Sequence, residues 1–404
     1  MINLATLEKV IEMQRNWPDV DYTERSITQS LPAESDKHAF IVSGIRRCGK
    51  STLLRHFMKQ ISNEKKLYLN FDTPRLFNFD IEDFEVLDLI LEKRDVKYLF
   101  FDEIQIVEGW EMYVRQKLDE GCKVFITGSN ATLLSSELGT RLTGRHITRE
   151  LFPFSYKEYL RYTSQQNTLD AFTNYLENGG FPEFLRSKNP EILQSLLDDI
   201  LYRDIAVRNG IRDVQSLKRL VIYLFTNVGG LLTAGKLSST LGIKSPATVL
   251  EYLGFLEQSY LIKLLPRFSW SYRAQITLPR KIYIVDNGLV NAVSVSFSQN
   301  TGRKFENAVF GFLRQQYPEL YYFQSESSEC DFVAFQGGKP VLLLQVCTEL
   351  NSDNIRREKN GLWEAMDFFK LNEAILLTLN QKDFIKKGGQ KIIVTTATEF
   401  FNNL

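Results

Sequence analysis

The chain has 404 residues and carries 49 basic and 49 acidic side chains, so its formal net charge is zero. This balance gives no overall electrostatic field that would favour nucleic acid or a membrane surface, and no apolar run approaches the length of a membrane span. The composition, with 44% hydrophobic and 24% charged residues, predicts about two to four globular domains. Four scattered cysteines and three histidines predict a cytoplasmic protein without a disulfide framework or a cysteine–histidine metal site.

The first motif is a glycine-rich loop between a predicted strand and a predicted helix. The apolar residues 39–42 predict a short buried strand, and residues 51–58 predict a helix whose N-terminus would face an anion. Between them lies the pattern G-x-x-x-x-G-K-[ST], whose backbone N–H groups surround nucleotide phosphates. The loop consists of Gly44, Ile45, Arg46, Arg47, Cys48, Gly49, Lys50, Ser51 and Thr52. In this pattern Lys50 reaches the β- and γ-phosphates and Ser51 holds Mg²⁺, whereas the alternative of a plain glycine-rich turn leaves both residues unexplained.

A second nucleotide motif follows at the end of an acidic strand. Residues 67–72 predict one strand, and residues 97–102 predict another that is followed directly by Glu103. We expect Asp102 to hold Mg²⁺ through water and Glu103 to orient or activate the attacking water. The alternative is a buried strand followed by a polar loop. The strand inserted between the loop and the two acids is typical of P-loop ATPases that carry a glutamate beside the aspartate.

The next predicted strand, residues 123–130, ends in small polar side chains. Thr127, Ser129 or Asn130 is a candidate sensor of the γ-phosphate at this strand end. The alternative is a simple turn.

Two arginines, Arg141 and Arg145, lie in the polar segment 138–145. An arginine aimed at the γ-phosphate stabilises the charge of the transition state. Either residue is a candidate for this role, in cis or in trans across an oligomer. The alternative is a solvated basic loop.

These motifs resemble the AAA-type ATPases of bacteria and archaea that carry a C-terminal domain of unknown function. The resemblance also includes residues 151–155, 179–183 and 202–205, and it extends from about residue 36 to the end. It implies ATP rather than GTP as the nucleotide, Mg²⁺ as the metal, and an α/β fold with a P-loop NTPase core of the ASCE or AAA type. The expected segments are an N-terminal helical segment (1–35), the ATPase core (36–150), a helical lid (151–208), a winged-helix module with a linker (209–300) and a domain similar to PD-(D/E)xK nucleases (301–404).

The middle of the chain has a helical pattern from 151 to 208, with polar breaks at 163–167 and 187–190. Residues 214–266 then predict three helices and a strand, and Ser245 as N-cap with Pro246 opens the third helix. That helix would enter the DNA groove if the module binds DNA. Few basic residues surround it, which favours packing or protein contact.

In the C-terminal domain the predicted order is helix, three strands, helix and strand. Glu306 and Asp331 match the first two metal-binding positions of the PD-(D/E)xK pattern. Gln345 stands at the second strand acid and Cys347 stands at the lysine position. Because an amide supplies no negative charge and a thiol supplies no ammonium, we expect this domain to lack nuclease activity.

The sequence thus predicts a Mg²⁺-dependent ATPase that couples its nucleotide state to its C-terminal half. Two alternatives stay open: an ATP-binding switch or scaffold with little turnover, and an ATP-regulated DNA-binding protein or nuclease. The expected partners are DNA or a protein client at the C-terminal half and further copies of the chain in a homo-oligomer. No membrane partner is expected.

Overall fold

The computed structural model describes residues 2–17, 22–30, 37–61, 65–131, 142, 144–293 and 300–403. The chain divides into two compact units, one formed by Met1–Phe152 with Gln258–Tyr260 and the other by Pro153–Glu257 with Leu261–Leu404. No described helix combines the length and the apolarity that a membrane span requires.

The first unit contains a parallel sheet of five short strands in the order β2-β3-β4-β1-β5. The strands are β1 (Ala39–Ser43), β2 (Lys66–Asn70), β3 (Tyr98–Asp102), β4 (Lys123–Gly128) and β5 (His146–Glu150). The inner strands β1, β3 and β4 are mostly buried apolar runs, as parallel strands covered on both faces are. The four strands predicted upstream of residue 131 are confirmed, with ends that differ by one or two residues.

Helices pack against this sheet, and the first of them is built from the N-terminal segment. The helices are α1 (Leu4–Arg15), α2 (Lys50–Lys59), α3 (Phe84–Lys93) and α4 (Trp110–Asp119). The Asn3 side chain caps α1 by accepting a hydrogen bond from the Thr6 N–H at 2.8 Å. Leu7, Val10 and Ile11 are buried in the same core as the apolar residues of β2, β3 and β4. Helix α1 is therefore part of the core of the first unit.

The second unit begins with a helical region. Its elements are α5 (Tyr156–Thr163), α6 (Leu169–Asn178), α7 (Pro182–Ser187), α8 (Glu191–Asp199) and a π-helical continuation, Ile200–Val207. Helix α5 begins with a capping box, in which the side chains of Ser155 and Glu158 each bond to the other's backbone N–H. Two of the breaks between these helices fall at the polar segments that the sequence predicted, and a third falls at Gly179 and Gly180.

A three-stranded antiparallel sheet in the order β6-β8-β7 and further helices follow. The elements are α9 (Val214–Thr226), β6 (Leu231–Leu232), α10 (Ala234–Leu241), α11 (Pro246–Gln258), β7 (Ile262–Leu265), α12 (Tyr272–Thr277), β8 (Arg280–Ile284) and α13 (Asn287–Val293). As predicted, Ser245 Oγ caps α11 by accepting a hydrogen bond from the Thr248 N–H at 3.1 Å. The next strand begins at Ile262 rather than at Tyr260, because Tyr260 has a φ of +62°, outside the range of strands.

The C-terminal part of the second unit is a six-stranded mixed sheet in the order β13-β14-β12-β11-β10-β9. The elements are α14 (Thr301–Gln316), β9 (Glu319–Gln324), β10 (Glu329–Gln336), β11 (Lys339–Val346), α15 (Ile355–Phe369), β12 (Glu373–Thr378), β13 (Asp383–Lys387), β14 (Gln390–Thr396) and α16 (Ala397–Asn403). Alternate residues of β10 point to opposite faces, so Phe332 packs in the cluster that contains α14 and Val333 packs in the cluster that contains α15. The predicted element order up to β12 is confirmed, and the sequence analysis missed β13, β14 and α16.

Candidate functional site

The glycine-rich loop connects β1 to α2 at the carboxyl edge of the parallel sheet. Gly44 lies so close to the chain after β5 that a Cβ atom there would be 2.2 Å from the Leu151 carbonyl oxygen. Gly49 has a φ of +105° and forms the N-cap of α2. Both positions therefore require glycine, and the N–H groups of the first turn of α2 are left to bind an anion at this edge.

Lys50 is 4% exposed and points back into the loop. Its Nζ lies 3.0 Å from the carbonyl oxygens of both Gly44 and Ile45 and 3.7 Å from Oε1 of Glu103. The ammonium group is thus held inside the loop by oxygens that phosphate oxygens can replace.

Asp102 ends β3 and is fully buried. Its carboxylate accepts hydrogen bonds from the Tyr68 hydroxyl at 2.6 Å and from the Thr127 hydroxyl, and the Ser51 hydroxyl lies close enough to lower its pKa. Burial, followed by the charge of Glu103, nevertheless raises the pKa of Asp102 above its ordinary value, and the three hydroxyls oppose that shift. The result is a carboxylate oriented toward the start of α2.

Glu103 follows directly with a φ of +54°, which turns its side chain away from the strand direction. One carboxylate oxygen accepts hydrogen bonds from the Ser129 N–H at 3.2 Å, from the Ser129 hydroxyl at 3.0 Å and from the Gln105 amide. Burial alone would raise the pKa of Glu103, but the Lys50 ammonium, the Gln105 amide and the more distant Arg46 bring it below its ordinary value. Glu103 is therefore ionised at neutral pH.

The structure brings most of the predicted loop and sensor residues to this edge. Thr127 contacts Asp102, Ser129 contacts Glu103, and Asn130 is buried directly after β4. Two other loop side chains make structural contacts. The Cys48 thiol donates to the Leu151 carbonyl at 3.2 Å, and burial raises its pKa. The Arg46 guanidinium lies 3.6 Å from the Asp72 carboxylate.

Of the two candidate arginines, the structure describes only Arg145, which does not lie at this edge. Arg141 lies outside the described residues. Arg145 precedes β5, and its guanidinium bonds to Asp119 at 2.7 Å. Since Ala39, at the start of β1, pairs with His146, Arg145 is at the amino edge of the sheet, about 20 Å from the start of the loop by strand rise. Within one chain, Arg145 does not reach the phosphate loop.

Two residues of this site were missed by the sequence analysis. Tyr68 on β2 bonds to Asp102, and the buried Arg25 donates to the carbonyl oxygens of Cys48 at 3.0 Å and Phe152 at 2.5 Å. The only sequence signal for Tyr68 was its place on the strand between the two motifs, and the contact depends on the pairing register of β2 with β3. No sequence pattern pointed to Arg25.

A second polar cluster lies in the C-terminal sheet at the nuclease-like positions. The ammonium of Lys281, on β8, lies 2.8 Å from Asp331, 2.6 Å from Glu329 and 3.1 Å from Glu306. The Tyr283 hydroxyl also donates to Glu306 at 2.6 Å. Cys347 stands at the lysine position of the nuclease pattern, and β8 supplies an ammonium to the acids instead, a contact that no sequence pattern predicted.

The other two nuclease-like positions serve as structural links. Gln345 accepts a hydrogen bond from the Asp331 N–H at 3.0 Å and donates to Glu358 at 2.8 Å. The Cys347 thiol donates to the Glu349 carbonyl at 3.0 Å. Among the described residues, no group of three or more histidine, cysteine or acidic side chains has the geometry of a metal site.

Comparison with known proteins assigns an AAA domain to most of the first unit. Residues 36–160 match the family model of an AAA domain, and residues 169–300 match a domain of unknown function (DUF8612). An uncharacterized protein of Methanocaldococcus jannaschii is 34% identical over 378 residues, covering 88% of this chain and 84% of that protein. An uncharacterized protein of Haemophilus influenzae is 34% identical over 395 residues, covering 92% and 96%. The chain belongs to one family with these two proteins, a P-loop family with an AAA domain followed by a domain of unknown function.

The chain is also weakly similar to solved structures. The crystal structure of Cdc6p from Pyrobaculum aerophilum is 14% identical and covers 72% of this chain and 91% of its own, with a TM-score of 0.25.

Proposed function

We propose that the chain is a Mg²⁺-dependent ATP hydrolase of the AAA type. The observation that carries this proposal is the convergence of four side chains at one edge of the parallel sheet: Lys50 and Ser51 at the start of α2, and Asp102 and Glu103 at the end of β3. The Lys50 ammonium and the N-terminus of α2 can bind phosphates. Asp102 and Glu103 lie in different environments, which suits one carboxylate to metal binding and the other to water activation.

The residues at this edge fit a magnesium ion bound together with nucleotide phosphates. Ser51 and Asp102 would hold the ion through oxygen atoms, which Mg²⁺ prefers, and phosphate and water oxygens would complete its shell. When bound, Mg²⁺ neutralises charge on the phosphate oxygens. Such a site needs one buried carboxylate rather than a cluster of acids, and Asp102 is that carboxylate.

Phosphate binding is assigned to the loop amides and Lys50. The Lys50 ammonium exchanges the carbonyl oxygens of Gly44 and Ile45 for phosphate oxygens, and the N–H groups of the first turn of α2 bind the same anion. Glu103 orients the attacking water and accepts its proton, because an ionised carboxylate is the form that can act as a base. Ser129 and Gln105 fix the direction of that carboxylate.

In an oligomer, a neighbouring copy of the chain would supply the arginine that stabilises the charge of the transition state. The Arg145 side chain is 29% exposed and precedes β5 at the amino edge of its own sheet, so it suits action in trans. Arg141, which lies outside the described residues, is the other candidate.

For the second unit we propose a helical lid, a winged-helix module and an inactive nuclease-like domain. The helices from α5 through Val207 support the lid. The order α9, β6, α10, α11, β7, β8 with an antiparallel three-stranded sheet supports the winged helix. In the last domain, the Lys281 ammonium fills the space between the acids, and Gln345 replaces one carboxylate; both features oppose metal-dependent cleavage.

An ATP-binding switch with little turnover is the second candidate, and the contacts of Glu103 favour it. Its carboxylate is engaged by Ser129, Gln105 and Lys50, and a carboxylate that keeps these bonds would not activate water.

Steady-state phosphate release by the full chain with ATP and Mg²⁺ distinguishes the two. For the hydrolase, we expect Glu103→Gln to lower kcat about a hundredfold while ATP still binds. Lys50→Ala is expected to lose ATP binding. In both candidates, ATP at about a hundred times Kd adds about 2.7 kcal/mol of stability. Phosphate release by the wild type that stays at background level and equals that of Glu103→Gln, while ATP still binds, would reject the hydrolase and leave the switch.

A further inference from the structure

The segment between β7 and β8 exposes large aromatic side chains to solvent. Trp270 and Tyr272 are each 76% exposed, and Ile276, one turn further along α12, is half exposed. Exposed apolar side chains scattered singly are ordinary, but three within seven residues make this segment a candidate contact surface.

These side chains stand on an ordered support. Phe268 is buried and stacks on Phe335 with ring centroids 5.2 Å apart, and Trp270 packs edge-on against Phe268 at 4.9 Å. The Gln275 amide donates to the Ser269 carbonyl at 2.7 Å, which closes the segment. The Trp270 ring is therefore held against the buried Phe268 while most of it faces solvent.

The charged side chains of this segment are all basic. Residues 258–285 contain five basic side chains and no acidic one. Lys263 pairs with Glu257, and Lys281 pairs with the buried acids, but Arg267, Arg273 and Arg280 form no ion pair with any described residue. Arg267 and Arg280 each donate to a backbone carbonyl, of Gln324 and Ile276. Three positive charges beside the exposed rings thus have no carboxylate partner among the described residues.

We propose that this surface, formed by Trp270, Tyr272, Ile276 and the three arginines, binds single-stranded nucleic acid. Guanidinium groups contact phosphates, and exposed aromatic rings stack on bases. Unpaired bases offer free ring faces, whereas the bases of a duplex are stacked on one another, so the exposed rings favour a single strand. The proposal does not depend on the proposed ATPase activity, and it uses a surface other than α11, the helix that the sequence suggested for DNA.

The test is fluorescence anisotropy of a labelled oligothymidylate of about 15 nucleotides with the full chain at low salt. We expect Trp270→Ala and Tyr272→Ala each to weaken binding about tenfold. Arg273→Ala should reduce the slope of log affinity against log salt by about 0.7. Phe384→Ala is the matched control, since Phe384 is 61% exposed on β13 with the Lys386 ammonium 5.4 Å from its ring, and it should bind as the wild type does.

Three results would overturn the proposal. The first is unchanged affinity in the double variant Trp270→Ala/Tyr272→Ala. The second is tighter binding of a duplex of the same length than of the single strand. The third is no oligonucleotide binding at low salt; if the double variant then also changes the mass of the assembly, the surface contacts protein instead.

Discussion

The ammonium nitrogen of Lys281 lies 2.8 Å from Oδ1 of Asp331, and both side chains are buried. The same nitrogen holds two further carboxylates, those of Glu306 and Glu329, so one side chain connects β8 to α14 and β10. A buried ion pair adds little to the free energy of unfolding compared with apolar packing, but removing one partner leaves an uncompensated buried charge. The cluster is therefore most sensitive to the loss of its single cation.

Lys281→Met is expected to destabilise the chain by about 3–5 kcal/mol, because three carboxylates would then share a buried site without a cation. Urea unfolding of the full chain measures this change. The matched control is Lys263→Met: the Lys263 ammonium lies 3.5 Å from Glu257 in a half-exposed pair. Loss of this pair should lower the free energy of unfolding by at most about 1 kcal/mol. Equal effects of the two substitutions would contradict the role given to Lys281.

Glu306 makes the same cluster sensitive to pH. Burial, together with the charge of Asp331, raises the pKa of Glu306 from 4.5 to about 7, against the opposing charge of Lys281. Between these two values the folded chain binds more protons at Glu306 than the unfolded chain does, so this group destabilises the fold as pH rises through the window. We expect the unfolding free energy of the wild type to fall relative to Glu306→Gln from pH 5 to pH 8. A difference independent of pH would show that Glu306 does not titrate there.

Tyr68 is expected to act as a positioning residue for the magnesium acid. Tyr68→Phe removes the hydroxyl that donates to Asp102 at 2.6 Å and should lower kcat roughly tenfold, with a weaker apparent Mg²⁺ affinity and little change in ATP affinity. Tyr113→Phe is the matched control, because that hydroxyl donates to Asp88 at 2.6 Å, away from the phosphate loop. If both variants lose stability and neither changes the Mg²⁺ dependence, the Tyr68 contact is only structural.

Local patterns predicted the residues of the phosphate loop and the acidic strand, because a strand, a glycine turn and a helix start are adjacent in sequence. The contacts of Tyr68 and Lys281 were not predictable in this way. Tyr68 meets Asp102 only through the parallel register of β2 with β3, and Lys281 meets Asp331 across 50 residues of chain. The nuclease pattern places Cys347 at its lysine position, and the ammonium beside Asp331 comes instead from Lys281 on β8.

The trans role of Arg145 is tested by mixing two inactive variants. Arg145→Ala should lower kcat about a thousandfold or more if this side chain completes a neighbour's site. Lys50→Ala disables its own phosphate loop but keeps Arg145, whereas Arg145→Ala keeps an intact loop. Mixed oligomers therefore contain interfaces at which an intact phosphate loop faces an intact Arg145, and phosphate release should recover to a fraction of the wild-type rate.

Asp119→Ala serves as a control, because it frees the guanidinium of Arg145 without removing it. Wild-type turnover by Arg145→Ala would assign the role to Arg141 or to no arginine of this segment, and no recovery on mixing would exclude action in trans.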